Sequence, residues 1–100
     1  MSEGSNNSNR AMRNSLTSQD AFLLALGEAI HERRVLLGMS QQELADLAGV
    51  HRTYVSDIER GARNLTVTTV SRIAYSLDLT PSRLFRLTDD RVDAVTAEDR

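Results

Sequence analysis

Residues 40–61 constrain the fold more than any other part of this chain. Ser40, followed three residues later by Glu43, forms a capping box, in which each side chain satisfies a free backbone amide at the start of a helix. Gly49 supplies a backbone that tolerates positive φ, as a tight turn between helices requires. Ala45 is small enough to lie where two helices approach each other. This spacing predicts two short helices that cross at a steep angle, at residues 41–48 and 52–60.

The side chains of these two helices separate into an inward and an outward set. The apolar positions that would fix the crossing are Leu44, Ala48, Val50, Val55 and Ile58. The positions left facing outward are Arg52, Thr53, Ser56, Asp57 and Arg60. A rigid helix that presents short polar and arginine side chains has the size and chemistry that the major groove of DNA admits. The pattern therefore predicts that residues 41–59 form a DNA-reading unit.

Three further helices are predicted around this unit. Residues 18–37 carry an apolar stripe of helical period, which is interrupted by the charged residue Arg34. Thr66 is positioned to cap a fourth helix, and Pro81 suits the first position of a fifth. The chain has only four aromatic residues and one proline, so an aliphatic core of packed helices is favoured over a β-sandwich. The predicted fold is all-α, with five helices that include a helix-turn-helix.

The composition excludes several other classes of protein. The absence of cysteine rules out a disulfide scaffold and a thiolate metal site, and it suits a reducing cytoplasm. No apolar run approaches the roughly 18 residues that a membrane span needs, and the N-terminus lacks an apolar signal core. His51 has no second metal ligand at a useful spacing, and Thr53 and Ser56 have no partnered base. We therefore expect a cytoplasmic protein without a metal, a cofactor or catalytic activity.

The charge distribution divides the chain into three parts. The net charge is −2, but residues 1–87 carry ten arginines against nine acids, whereas the remaining residues carry two arginines against five acids. Residues 1–17 are rich in serine and asparagine and show no periodicity, which is typical of disorder. The predicted organisation is a disordered N-terminal arm, a DNA-binding domain and an acidic C-terminal tail, at residues 1–17, 18–87 and 88–100.

Several short strings in register resemble the lambda-repressor-like (Cro/Xre) helix-turn-helix regulators. They are Gly-Met-Ser-Gln at 38–41, Glu-Leu-Ala at 43–45, Gly49, Ile-Glu-Arg-Gly at 58–61 and Leu-Phe at 84–85. The resemblance covers roughly residues 26–85 and implies a five-helix domain that is usually dimeric on a two-fold-related operator. The strings Arg-Thr-Tyr at 52–54 and Arg-Asn-Leu-Thr at 63–66 are similar to the controller proteins of restriction–modification systems.

The resemblance also implies a role for individual residues. Those that would face DNA bases are Arg52, Thr53 and Asp57. Those that would contact the DNA backbone or the minor groove are Gln41, Tyr54, Arg63 and Asn64. Arg34 and Glu59 match the positions of a buried ion pair, which would explain a charge on the apolar stripe. Three interpretations of Asp57 stay open: it accepts a hydrogen bond from a cytosine amine, it repels wrong sites, or it does not reach the DNA.

These features predict a sequence-specific transcriptional regulator that acts as a homodimer on a pseudo-palindromic operator in double-stranded DNA. Leu84, Phe85 and Leu87, together with Leu79, exceed what one short helix normally buries, so the first three are the predicted dimer interface, with a place in the core of the single chain as the alternative. One alternative is an antitoxin, whose acidic tail from Thr88 would suit a basic toxin. Another is a scaffold that uses the same fold to bind protein. RNA polymerase or a toxin is the further partner that these interpretations allow.

Overall fold

The computed structural model describes the backbone of residues 2–98 and the side chains of residues 19–94. The backbone in this range forms helices and no strand, which confirms the predicted all-α fold. The five helices are α1 (Ser2–Leu36), α2 (Gln41–Ala48), α3 (Arg52–Glu59), α4 (Val67–Ser76) and α5 (Pro81–Glu98).

The predicted caps and turn define the ends of the short helices. The Ser40 hydroxyl accepts a hydrogen bond from the Glu43 amide at 3.0 Å, and the Ser40 amide donates to Glu43 Oε1 at 2.8 Å, so the capping box is complete. Gly49 ends α2 with a φ of 74°, a conformation that L side chains rarely adopt. Thr66 caps α4 by accepting a hydrogen bond from the Thr69 amide at 3.1 Å. Local chemistry therefore sets where α2 begins and ends and where α4 begins, which are the helices on either side of α3.

The core is aliphatic and is shared by all five helices. α1 packs along α5 and against α3, α2 packs on α3 and α4, and α4 contacts α5. The large side chains that are fully buried include Ile30, Leu44, Val55, Ile58, Ile73, Leu77 and Leu84. Each contributes about 1.5–3 kcal/mol of burial free energy relative to an exposed position. Short helices such as α2 and α3 depend on this packing, because eight residues are too few for a stable helix on their own.

Gly27 permits a close approach that the sequence analysis did not single out. An ideal Cβ at this position would lie 2.4 Å from the backbone oxygen of Ile58 and 2.7 Å from that of Glu59. Any side chain would therefore push α1 away from the C-terminal end of α3. The position of α3 on α1 depends on a residue that has no side chain.

The helical backbone extends beyond the predicted domain at the N-terminal end. α1 begins at Ser2, upstream of the expected start at Ser18. The side chains of residues 1–17, which were expected to form a disordered arm, lie outside the described residues. The predicted role of that arm therefore stays a prediction.

The expected boundary between the domain and the acidic tail falls inside α5. Thr88 is fully buried, and its hydroxyl donates a hydrogen bond to the Leu84 carbonyl at 2.9 Å. Arg91, one turn further on, forms ion pairs with Glu28 and Glu32 of α1. The folded domain therefore continues past residue 87. The pattern of apolar residues did not indicate this, because a threonine satisfied by its own helix can occupy a buried position.

The structure corrects one residue of the predicted dimer interface. Leu84 is fully buried in the core of the single chain, so it is not available to a partner. Phe85 and Leu87 are each 39% exposed, but they lie on different sides of α5. Phe85 lines a cavity with Phe22 of α1, whereas Leu87 lies beside Leu36. The three residues therefore do not form one surface.

A buried ion pair joins α1 to α3. Arg34 Nε donates to Glu59 Oε2 at 2.6 Å, and Arg34 Nη2 donates to Glu59 Oε1 at 3.0 Å. The side chains are only 10% and 5% exposed. Arg34 Nη1 also donates to the Met39 carbonyl at 2.7 Å, just before α2. The charged residue on the apolar stripe thus connects α1, the loop that leads into α2, and the end of α3.

Hydrogen bonds keep this pair charged despite its burial. Burial alone would raise the pKa of Glu59, but the hydrogen bonds from Arg34, His31 and Gln41 outweigh it and hold the pKa below the usual value. The hydrogen bond to Glu59 in turn raises the pKa of Arg34, against the opposing effect of its burial. Both groups are therefore ionised at neutral pH, and each depends on the other.

Removing one partner of the pair should destabilise the domain strongly. We expect Arg34→Met and Glu59→Leu each to lower the free energy of unfolding by about 3–5 kcal/mol, because an unpaired charge stays buried. Glu59→Leu should be the more harmful change. It removes the carboxylate that neutralises Arg34 and leaves it only uncharged partners, the Met39 carbonyl and His31 Nδ1, whereas Glu59 without Arg34 keeps two other donors. Urea denaturation at neutral pH measures all of these values.

The double variant tests whether the two residues act as a pair. Arg34→Met with Glu59→Leu should recover much of the loss, since an apolar pair leaves no buried charge. Arg72→Met is the control, because Arg72 is exposed on α4, and it should change stability by less than about 0.5 kcal/mol. Losses that simply add in the double variant would show that Arg34 and Glu59 do not stabilise each other.

Candidate nucleic-acid interface

α3 is fixed by its buried side and presents its other side to solvent. Val55 and Ile58 are each 1% exposed and pack in the core. Arg52 and Thr53, both predicted to face bases, are exposed on the first turn of the helix. His51 precedes them as the N-cap residue, without a hydrogen bond from its side chain. The N-terminal end of α3 therefore offers one long cationic and one short polar side chain on a rigid support.

Tyr54 and Arg63, both predicted to contact the DNA backbone, lie against each other. The guanidinium carbon of Arg63 is 5.0 Å from the centroid of the Tyr54 ring, which is the geometry of a cation–π contact. Tyr54 is half-buried, and Arg63 lies in the loop that follows α3. Asn64, the next predicted contact, is exposed beside it. This loop is thus held next to α3 by an aromatic ring.

Asp57, for which the sequence left three interpretations open, is hydrogen-bonded to two arginines of the chain. Its Oδ1 accepts a hydrogen bond from Arg60, and its Oδ2 accepts one from Arg63 Nε at 3.3 Å. The Asp57 side chain is only 19% exposed, whereas those of Arg60 and Arg63 are 65% and 51% exposed. Each carboxylate oxygen thus accepts one hydrogen bond within the chain and keeps a second lone pair.

Gln41, the predicted phosphate contact on α2, is joined to the buried ion pair. Its Nε2 donates to Glu59 Oε1 at 3.1 Å, which uses one of the two amide hydrogens. Gln41 is half-buried as the first residue of α2, where backbone amides lack helical partners. The second side-chain hydrogen of Gln41 and the first backbone amides of α2 are donors of the kind that bind a phosphate oxygen.

His31, a residue for which the sequence pattern predicted no role, also belongs to this network. Its Nδ1 lies 3.0 Å from Glu59 Oε1 and 3.1 Å from Arg34 Nη2, and the side chain is 53% exposed. The one available signal was its spacing, because a residue three positions before Arg34 lies on the same face of a helix. That Glu59 is shared by three side chains was not predictable from the sequence pattern.

The face around α3 is positive although the chain as a whole is negative. Arg52, Arg60 and Arg63 are exposed there, and Asp57 compensates one of these charges. Glu59 adds no free charge, because Arg34 neutralises it. A cluster of arginines on one face is the electrostatic footprint expected of a nucleic-acid-binding protein.

Two other classes of site find no support in the described residues. Among them, no group of three or more His, Cys, Asp or Glu residues is arranged to hold a metal ion. No helix in the same part of the chain is long and apolar enough to cross a membrane.

Comparison with known proteins identifies relatives of this chain. The family described as "Helix-turn-helix" matches residues 30–84. Control protein C.BamHI of Bacillus amyloliquefaciens is 38% identical over 66 residues, which are 65% of this chain and 82% of that protein. Control protein C.SmaI of Serratia marcescens is 36% identical over 59 residues, which are 59% of this chain and 70% of that protein.

Among solved structures, the restriction–modification controller protein C.AhdI from Aeromonas hydrophila is similar with a TM-score of 0.61 and 39% identity. The similarity covers 62% of this chain and 94% of C.AhdI. The family match spans more than half of the chain and includes α2, α3 and α4 completely. This chain therefore belongs to the helix-turn-helix family of DNA-binding transcriptional regulators of the Cro/Xre type, as the sequence predicted.

Proposed function

We propose that this chain is a sequence-specific regulator of the controller type, which binds a pseudo-palindromic operator as a homodimer. The observation that carries the proposal is the positive face of α3. Arg52 and Thr53 are exposed there, on a helix whose opposite side is buried in the core. A helix supported in this way fits the major groove and places its first turn against base edges. The similarity to controller proteins supports a role in regulating transcription.

The contacts divide into those that select a sequence and those that position the protein. Arg52 and Thr53 would reach base edges, because they lie on the first turn of α3. Gln41, at the start of α2, and Asn64, after α3, flank the reading helix and would hold phosphates. Tyr54 supports Arg63 for the same purpose. Contacts to phosphates fix the register on DNA without reading sequence.

A homodimer follows from the size of the reading unit. One α3 covers only a few base pairs, and phosphate contacts alone give affinities of roughly micromolar or weaker at physiological salt. Two linked copies engage two half-sites at once and gain affinity without new kinds of contact. The controller protein C.Esp1396I, with 31% identity and a TM-score of 0.66 over 71% of this chain and 93% of that protein, has been solved as a tetramer with its natural 35-base-pair operator.

The Phe85 side of α5 is the better candidate for the dimer interface. A cavity of about 410 Å³ opens there between α1, α5 and the start of α4, and its lining is mostly apolar. Val67, on its rim, is 86% exposed, and the Phe22 and Phe85 rings lie 6.2 Å apart along it. Asn64 lines the same cavity, so a second copy seated here would lie directly beside the loop that follows α3.

RNA polymerase or a toxin as a further partner stays a prediction, and so does the scaffold alternative. A cytoplasmic location is part of the proposed function, because a regulator of this type acts where the DNA is. We assign no catalytic role.

Arg52 should determine one base position in each half-site. We expect a two-point contact to guanine, which contributes about 1–3 kcal/mol of discrimination. Arg52→Ala should therefore abolish the preference at one position of each half-site and leave the other positions unchanged. Competition binding against a set of single-base operator variants measures this directly.

The control for this experiment is Arg86→Ala, which removes an exposed arginine from α5. It should leave the base preferences intact. If Arg52→Ala weakens binding to all sequences equally, Arg52 contacts only phosphate and its role as a base reader is wrong.

Val67 tests the proposed dimer interface without disturbing the core. Val67→Glu should give a folded monomer, because the side chain is exposed and an acid at the first position of α4 suits the helix dipole. Leu36→Glu is the matched control, since Leu36 is 73% exposed on the Leu87 side. Circular dichroism checks the fold, and sedimentation equilibrium gives the mass of each variant.

The proposed interface predicts that Val67→Glu is monomeric and Leu36→Glu stays dimeric. The opposite result would place the interface on the Leu87 side of α5. If the unaltered chain itself sediments as a monomer at all concentrations and when bound to DNA, the homodimer proposal is wrong.

A further inference from the structure

Asp57 is an acidic residue on the face that would approach a polyanion. Its two carboxylate oxygens accept hydrogen bonds from different arginines, one at the C-cap of α3 (Arg60) and one in the following loop (Arg63). The carboxylate is mostly covered, whereas both guanidinium groups remain largely exposed. The acid therefore lies beneath two cations that face solvent.

We propose that Asp57 is a positioning residue that restrains Arg60 and Arg63 and thereby limits the affinity of this face for DNA of random sequence. The inference rests on the proposed function, because it assumes that this face binds DNA. It assigns Asp57 a role in specificity without a contact to a base.

The physical reason is that the Asp57 carboxylate and the phosphates of DNA compete for the same two arginines. Each exposed arginine that neutralises a phosphate adds affinity that does not depend on sequence. An arginine bound to Asp57 has to leave the carboxylate, or share its remaining donors, before it contacts a phosphate elsewhere. On an operator that fits the fixed geometry, Arg60 and Arg63 bind in place. On other DNA the two arginines must first leave Asp57, and the free-energy cost of this release lowers the affinity for non-operator sites.

Arg63 is restrained by a second contact, which further limits the positions that its guanidinium group can take. Its guanidinium lies over the Tyr54 ring as well as beside Asp57. An arginine has five donor hydrogens in a planar fork, so Arg63 retains donors after bonding to Asp57 through Nε. Its position relative to α3 is thus defined from two sides before any DNA binds.

Asp57→Asn tests the proposal, because it removes the charge and keeps the shape. Affinity for random-sequence DNA should rise about three- to tenfold at 50 mM salt, and the slope of log K against log salt should steepen by about 1 for each released arginine. Operator affinity should change less, so the ratio of specific to non-specific binding should fall. The operator is the sequence that the unaltered chain selects from random DNA.

Asp46→Asn is the matched control, because it makes the same charge change on α2, at a side chain that accepts a hydrogen bond from Gln42 at 2.9 Å. It should leave the salt slope on random DNA unchanged.

Arg60→Gln is a second, independent test in case Asp57→Asn unfolds. A restrained arginine adds little non-specific affinity, so this variant should lower operator binding and leave the random-DNA slope as it is.

Each outcome decides between the alternatives. If Asp57→Asn matches Asp46→Asn on random DNA, Asp57 does not restrain the arginines and the proposal is wrong. If it instead changes the preference at one base pair with unchanged non-specific binding, Asp57 reads a base. If the unaltered chain selects no sequence at all, the proposed function fails, and the inference fails with it.

Discussion

The buried ion pair between Arg34 and Glu59 is the interaction on which the arrangement of the helices depends. Glu59 ends α3 and accepts hydrogen bonds from Arg34 and His31 of α1 and from Gln41 of α2. α2 and α3 have eight residues each, so their orientation comes from packing and from this carboxylate. Burying two charges is costly by itself, and replacing such pairs with apolar residues is often neutral. The pair therefore specifies where α3 lies on α1 more than it adds stability.

The same carboxylate links the core to the face that we propose binds DNA. Gln41 is held through one amide hydrogen by Glu59, and α3 is held through its own last residue. The proposed phosphate contact and the proposed base-reading helix therefore share one anchor, which keeps their spacing constant. On the opposite side of α3, the Asp57 carboxylate likewise forms ion pairs with two exposed arginines. Both acids hold donor side chains on the face proposed to bind DNA, and each carboxylate is paired with at least one arginine.

Much of this arrangement was predictable because its determinants are local. The capping box at Ser40 and the positive φ of Gly49 follow from chemistry within a few residues, and the charge of Arg34 on an apolar stripe indicated a buried partner. The contact between His31 and Glu59 was not predictable in the same way, because these residues are 28 positions apart and meet only when α1 packs on α3. The continuation of α5 past residue 87 was hidden by Thr88, a polar residue that is buried once its hydroxyl bonds to its own helix. Leu84 was assigned to a partner surface because counting apolar residues along one helix does not show how far the core extends.

We propose that the positive face of α3, whose side chains are held by contacts within the chain, recognises a defined DNA sequence. Two copies of the chain would each bind one half-site of that sequence. Selection of binding sites from a random pool of double-stranded DNA by the unaltered chain tests it most directly. The account predicts enrichment of a pseudo-palindrome, with half-sites whose centres lie about one helical turn, roughly 34 Å, apart. A pool that shows no enriched sequence after repeated rounds would contradict it.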